Sequence, residues 1–135
     1  MSDKVFIDTD IFLRFLVADN HKTYLLCKKF LEKVEKGETK ASVSCLVLFE
    51  VIWTLTSLYK ISKSDVADRI VSLIAMKGLE VEHKKIFLQT LHVWVSKNVD
   101  FNDAFNTCWA EETGISKIYS YDKHFDKMNV KRLEP

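Results

Sequence analysis

Glycine is scarce in this sequence. Gly37, Gly78 and Gly114 are the only three in 135 residues, and each follows an amphipathic stretch at the place where a helix should stop. None remains for a glycine-rich loop around phosphates, which excludes Rossmann and P-loop nucleotide binding. Cysteine is scarce too. Cys27, Cys45 and Cys108 are odd in number, far apart and form no C-x-x-C pair. A disulfide framework and a cysteine zinc site are thereby excluded, and the thiols read as reduced and mostly buried in a cytoplasmic protein. No apolar run approaches the roughly 18 residues of a membrane span. The first residues also lack the basic and apolar regions of a signal peptide, so no membrane is expected. Neither sign of charge dominates: 20 Lys and Arg against 19 Asp and Glu leave +1, and whole-molecule charge announces no nucleic-acid partner. Only between Lys117 and Arg132 do basic residues accumulate (Lys117, Lys123, Lys127, Lys131, Arg132, against Asp122 and Asp126). That strip suits either a phosphate backbone or plain solvent.

What is present fits one globular domain over residues 1–135. Hydrophobic residues are 47% and charged residues 29%, the balance of an ordinary soluble fold. A chain of this length buries roughly 65–70% of its unfolded surface. Val5-Phe6-Ile7 reads as a short strand buried on both faces, ending at Asp8. A short helix then covers Ile11–Val17, with Thr9 or Asp10 as its cap. Spacing of Cys27, Phe30, Leu31 and Val34 predicts a helix over about 20–36. Ala41–Ser44 is a weak strand, followed by a nearly uniform apolar helix, Cys45–Leu58, buried on most sides and interrupted by Glu50. Ser62-Lys63-Ser64-Asp65 matches a capping box ahead of Val66, Ile70, Leu73 and Ile74. Leu79–Val81 is a strand, and Phe87, Leu91, Trp94 and Val95 mark a helix. A polar turn carries Asp100, a helix spans about Asp103–Thr113, Ile118–Tyr121 is a strand, and Val130–Leu133 a last edge strand. Strands alternating with helices point to a parallel sheet covered by helices, joined by right-handed crossovers.

Four acids then acquire a common address. Asp8 and Asp122 each follow a strand directly, at the carboxyl edge where an open parallel sheet binds its ligands. The helix carrying Asp103 leads into the strand that ends at Asp122, so its start lies at that same edge. Glu50 sits six residues beyond Ser44, about 9 Å of helix rise. Each acid also has a plain reading: turn residue, cap, or favourable charge in a first helical turn. Glu50 is the exception, since an ionised Glu inside an apolar helix is costly without a cation. Oxygen donors from four segments, without a His or Cys pattern, suit Mg²⁺ or Mn²⁺ and phosphodiester hydrolysis. His21, His83, His92 and His124 form no H-E-x-x-H motif. His83 and His92 would face opposite sides of any helix, and a general-base histidine is not expected.

Val5-Phe6-Ile7-Asp8-Thr9-Asp10, the lone Glu50, Asp100-Phe101-Asn102-Asp103-Ala104 and Tyr119-Ser120-Tyr121-Asp122-Lys123-His124-Phe125-Asp126 resemble the four acidic motifs of PIN-domain ribonucleases. More narrowly, the chain is similar to the toxin halves of VapBC toxin–antitoxin pairs, over nearly its whole length. The resemblance implies a three-layer α/β/α fold with a mostly parallel central sheet. It implies an endoribonuclease dependent on Mg²⁺ or Mn²⁺, a homodimer, and inhibition by a cognate antitoxin. Asp8, Glu50, Asp103 and Asp122 take the acidic positions that hold metal and catalyse. Thr9 and Ser120 take the small hydroxyl positions beside them, and Asp100 a frequent extra acid. Asp10 stands where Asn or Ser is usual, and Asn106 where an apolar residue often follows. Lys123 either touches a phosphate or lies along the surface.

Two rivals remain open at this level. A haloacid-dehalogenase-type phosphatase also begins with a strand and D-x-D, as in Asp8-Thr9-Asp10, but has Thr or Val where Phe12 stands. A non-catalytic PIN-like binding scaffold would have lost one of the acids, and none is missing.

Overall fold

The computed structural model describes residues 3–135. They gather into two compact units, one ending at His83 and the other spanning Lys84–Pro135. In the first unit, strand β1 (Val5–Phe6), helices α1 (Thr9–Val17) and α2 (His21–Glu35), strand β2 (Ala41–Val43), helices α3 (Cys45–Ser57) and α4 (Lys63–Ile74), and strand β3 (Leu79–Val81) follow in order. The strands form a parallel sheet in the order β1-β2-β3. The second unit holds α5 (Lys84–Ser96), α6 (Phe101–Glu112), β4 (Lys117–Tyr119), a 3₁₀ turn over Lys123–Lys127 and β5 (Lys131–Leu133). Here β4 and β5 pair in parallel. The alternation of strand and helix thus gives parallel pairing throughout.

Each unit builds its own core. Phe12, Leu31, Val34, Leu48, Ile52, Leu55, Ile70 and Leu73 are almost fully enclosed in the first. In the second, Phe101 packs between Phe87 (centroids 5.3 Å apart) and Trp94 (5.4 Å, nearly perpendicular), the edge-to-face geometry aromatic rings favour. Local signals set the helix starts. The Asn20, Ser44 and Ser62 side chains accept hydrogen bonds from Thr23 N, Val47 N and Asp65 N, satisfying amides that a helix start leaves unpaired. Gly37 and Gly114 adopt φ of 79° and 77° just past α2 and α6, the left-handed stop that glycine permits most easily.

Six expectations need correction. Strand β1 is not buried on both faces: Phe6 is 60% exposed, because β1 is the edge strand of its sheet and only Ile7 turns fully inward. Helix α1 starts at Thr9 and its cap is Asp8, not Thr9 or Asp10. Helix α3 is not enclosed on most sides. Leu46, Phe49 and Trp53 share an exposed face with Glu50 at helical spacing, so Glu50 is itself exposed. Gly78 is not a helix stop: α4 ends at Ile74, and a Cβ on Gly78 would lie 2.4 Å from the Thr39 carbonyl oxygen and 2.6 Å from that of Val34. Glycine is there for close backbone approach. Finally, α6 begins two residues early, at Phe101, and His83 lies in the turn before α5 with φ of 51°, so it shares no helix with His92.

Candidate functional site

In the first unit the site grows from the end of β1. Ile7 is anchored in the core and the chain turns at Asp8, whose backbone is extended (φ −86°, ψ 167°). Its Oδ1 accepts a 2.8 Å hydrogen bond from Thr9 N. A carboxylate at that point also faces the positive end of the helix dipole. The next side chain is nearly buried, and the Thr9 hydroxyl donates to Glu50 Oε2 at 3.3 Å. Thr9 therefore links the acid at the strand end to the acid on α3. The burial cost expected to mark Glu50 is absent, and this hydroxyl bond is what ties it to Asp8. Asp10 points elsewhere, lining a cavity of about 240 Å³ with Leu13, Arg14, Asp19 and Tyr59.

In the second unit, Asp100 occupies the N-cap position of α6 without a side-chain capping bond. Asp103 lies in the first turn and is only 6% exposed. Asn106 falls on the exposed side of α6, where a polar residue costs nothing. Asp122 opens the 3₁₀ turn, accepting on Oδ1 from His124 N at 2.9 Å. His124 Nδ1 lies 2.9 Å from that same oxygen. The Ser120 Oγ in turn accepts from Asp122 N at 3.0 Å, so the hydroxyl beside the acid fixes its backbone. Asp103, Asp122 and His124 each offer one ligand atom, all within 4.8 Å of one another.

These neighbours shift the two acids in opposite directions. Burial, a hydrogen bond to Asp122, and the negative charges of Asp122 and Asp100 hold the Asp103 carboxyl above its usual range, against a smaller opposing effect of His124. Asp122 is held below its usual range, chiefly by the His124 backbone N–H, with the bond from Asp103 contributing and burial opposing. The two side chains are hydrogen-bonded to each other, and like charges at close range push their pKa values apart. A divalent cation between them would favour the ionised form of both acids. Two carboxylate donors and one imidazole, close enough to converge, fit such an ion.

The sequence-predicted residues thus fall into two groups, Asp8 with Thr9 and Glu50, and Asp103 with Asp122, Ser120 and the more distant charge of Asp100. His124 was missed. Its signal was the D-x-H spacing, since an Asp that caps a tight turn accepts from the residue two positions on. Lys123 is exposed. The basic strip is partly consumed: Arg132 pairs with Asp126 at 3.0 Å and Glu134 at 2.7 Å.

A family model described as PIN domain matches residues 5–131. Among curated proteins, the chain is similar to a VapC ribonuclease of Aquifex aeolicus (strain VF5), 25% identical over 129 residues that cover 96% of this chain and 95% of that protein. Among solved structures it is similar to VapC20 of Mycobacterium tuberculosis, described as a Sarcin-Ricin loop cleaving toxin. There the identity is 18% and the TM-score 0.38, over 98% of this chain and 100% of the other.

Proposed function

The chain belongs to the PIN domain family, and from that premise we propose that it is a metal-dependent endoribonuclease, the toxin of a toxin–antitoxin pair. The observation that carries the metal reading is the Asp103–Asp122–His124 cluster, whose three ligand atoms lie within 4.8 Å of one another beside the nearly buried Asp103. Support for the ribonuclease reading comes from the VapC relative, which aligns over nearly the full length of both chains. The family match runs across both compact units, which supports treating residues 1–135 as one domain with the family's three-layer fold.

In this reading Asp8, Glu50, Asp103 and Asp122 carry the reaction and would hold Mg²⁺ or Mn²⁺. The bound ion would polarise the phosphodiester and lower the pKa of an attacking water. Asp8 is presented by the Thr9 amide, which occupies only one of its oxygens. Glu50, steadied by the Thr9 hydroxyl, is exposed and suits the acceptor of the water's proton. Ser120 fixes the backbone of Asp122, while His124 engages one Asp122 oxygen. Asp100 adds negative charge near Asp103. In this reading the protein acts on RNA in the cytoplasm, as a homodimer controlled by a cognate antitoxin. Among the described residues no helix is long and apolar enough to cross a membrane. The test is RNA cleavage after chelation and metal add-back. Activity should vanish with chelator and return with Mn²⁺; cleavage that persists in chelator contradicts the proposal.

A further inference from the structure

Every strand of the first unit is entered through a lysine. Lys4 precedes β1, Lys40 precedes β2, and Lys77 stands two residues ahead of β3. The register places Val5 beside Ala41 and Ala41 beside Leu79, so these lysines arrive together at the amino edge of the sheet. Asp8 leaves from the opposite edge, just past β1. Around the lysines opens a cavity of about 350 Å³, lined by Lys4, Lys40, Lys77, Glu80 and the backbone of Gly37 and Gly78.

The local sequence builds this hollow. Gly78 lets the chain press against the Thr39 and Val34 carbonyls, where no side chain fits. Bare Gly37 lets the aliphatic stem of Lys77 lie across the turn, its Cδ 3.1 Å from where a Cβ would stand. Lys4 is tied to Glu80. Among the described residues, Lys40 and Lys77 have no ion-pair partner. Three ammonium groups thus face one carboxylate, an excess of positive charge that an anion would relieve. No aromatic ring lines the cavity, so it offers nothing for a base to stack on. Lysines act as point charges that take phosphate oxygens without demanding a planar orientation.

We propose that this cavity anchors the sugar–phosphate chain of single-stranded RNA through its phosphodiester oxygens, at the sheet edge opposite Asp8. The choice of RNA over a free phosphate compound rests on the ribonuclease reading above. Such an anchor adds affinity without sequence preference.

Fluorescence anisotropy of a labelled single-stranded RNA, in chelator so that nothing is cut, tests it. The native protein is compared with Lys40→Gln/Lys77→Gln, with Lys40→Arg/Lys77→Arg, and with Lys22→Gln on α2 outside the cavity. The Gln pair should weaken binding about tenfold and reduce the slope of log affinity against log salt by about 1.4, near 0.7 per lost phosphate contact. The Arg pair and Lys22→Gln should bind as the native protein does. Unchanged affinity and slope in the Gln pair overturn the proposal, as does an equal loss in Lys22→Gln. Saturable pyrophosphate binding that requires Lys40 and Lys77, with RNA affinity untouched, assigns the cavity to a free phosphoryl ligand and also overturns it. Because binding is read without cleavage, a protein that binds this way but never cuts RNA would refute the nuclease reading and leave the anchor standing. Normal cutting with unaltered binding would refute the anchor alone.

Discussion

Asp8 and Asp122 do the same local job before any chemistry: each lies shortly past a strand, though β4 stops at Tyr119 and not at Tyr121, caps the turn that follows, and accepts a backbone N–H on one carboxylate oxygen. That is why both were legible in the sequence, since an acid immediately after an apolar run marks a strand end. Glu50 was legible as an interruption, but for a reason that does not hold. Composition says that α3 is apolar and cannot say which face meets solvent, and the exposed face is the one carrying Glu50. His124 was illegible because D-x-H resembles any polar turn until Asp122 is seen to cap it. A separate residue-scale consequence concerns Cys45. Burial, reinforced by the charge of Glu82 and a hydrogen bond to it, pushes the Cys45 thiol from 9.0 to about 11. The folded protein therefore keeps this proton at pH values where the unfolded chain has lost it. The resulting stability is present below pH 9 and lost as pH rises from 9 toward 11. Alkylation of native Cys45 should be slow at pH 9 and still rising at pH 10, and Glu82→Gln should shift the profile downward. A rate already level by pH 9 contradicts this.

At the scale of elements, side-chain caps and helix faces were readable because they depend on neighbours three or four residues away. Asn20, Ser44 and Ser62 all cap as their spacing indicates. Strand burial was less readable. Val5-Phe6-Ile7 is as apolar as a central strand, yet whether it lies at an edge depends on pairing that no local pattern encodes. The glycines divide in the same way. Gly114 stops a helix by a local rule, whereas Gly78 answers to carbonyls more than 38 residues away in the chain for Thr39 and farther still for Val34. Gly78→Ala should destabilise by about 1–3 kcal/mol, since backbone must move to admit the Cβ. Gly114→Ala meets nothing within 4 Å, and should cost only the strain of a positive φ, about 1 kcal/mol. Urea unfolding of the two variants gives the order directly, and a larger loss for Gly114→Ala would contradict these roles.

For the whole molecule, the near-neutral charge of +1 concealed a local separation. In the first unit, lysines gather where the strands enter the sheet and Asp8 lies just past the end of β1; in the second, Asp103 and Asp122 converge beside His124. An ion that binds the folded chain alone adds stability by mass action, about 2.7 kcal/mol at a hundred times its dissociation constant. Saturating Mn²⁺ should therefore raise the melting temperature by several degrees, and Asp103→Asn should abolish most of that rise. Equal stabilisation of both proteins would place the ion elsewhere.

The most direct measurement is the initial rate of RNA cleavage in Mn²⁺ by the native protein and by Asp103→Asn, with circular dichroism confirming that the variant is folded. Removing a ligand that neutralises developing charge should lower the rate by about a thousandfold, several kcal/mol of lost stabilisation. A folded Asp103→Asn protein that cuts RNA at the native rate would contradict the assignment of this acid to a metal-dependent nuclease centre.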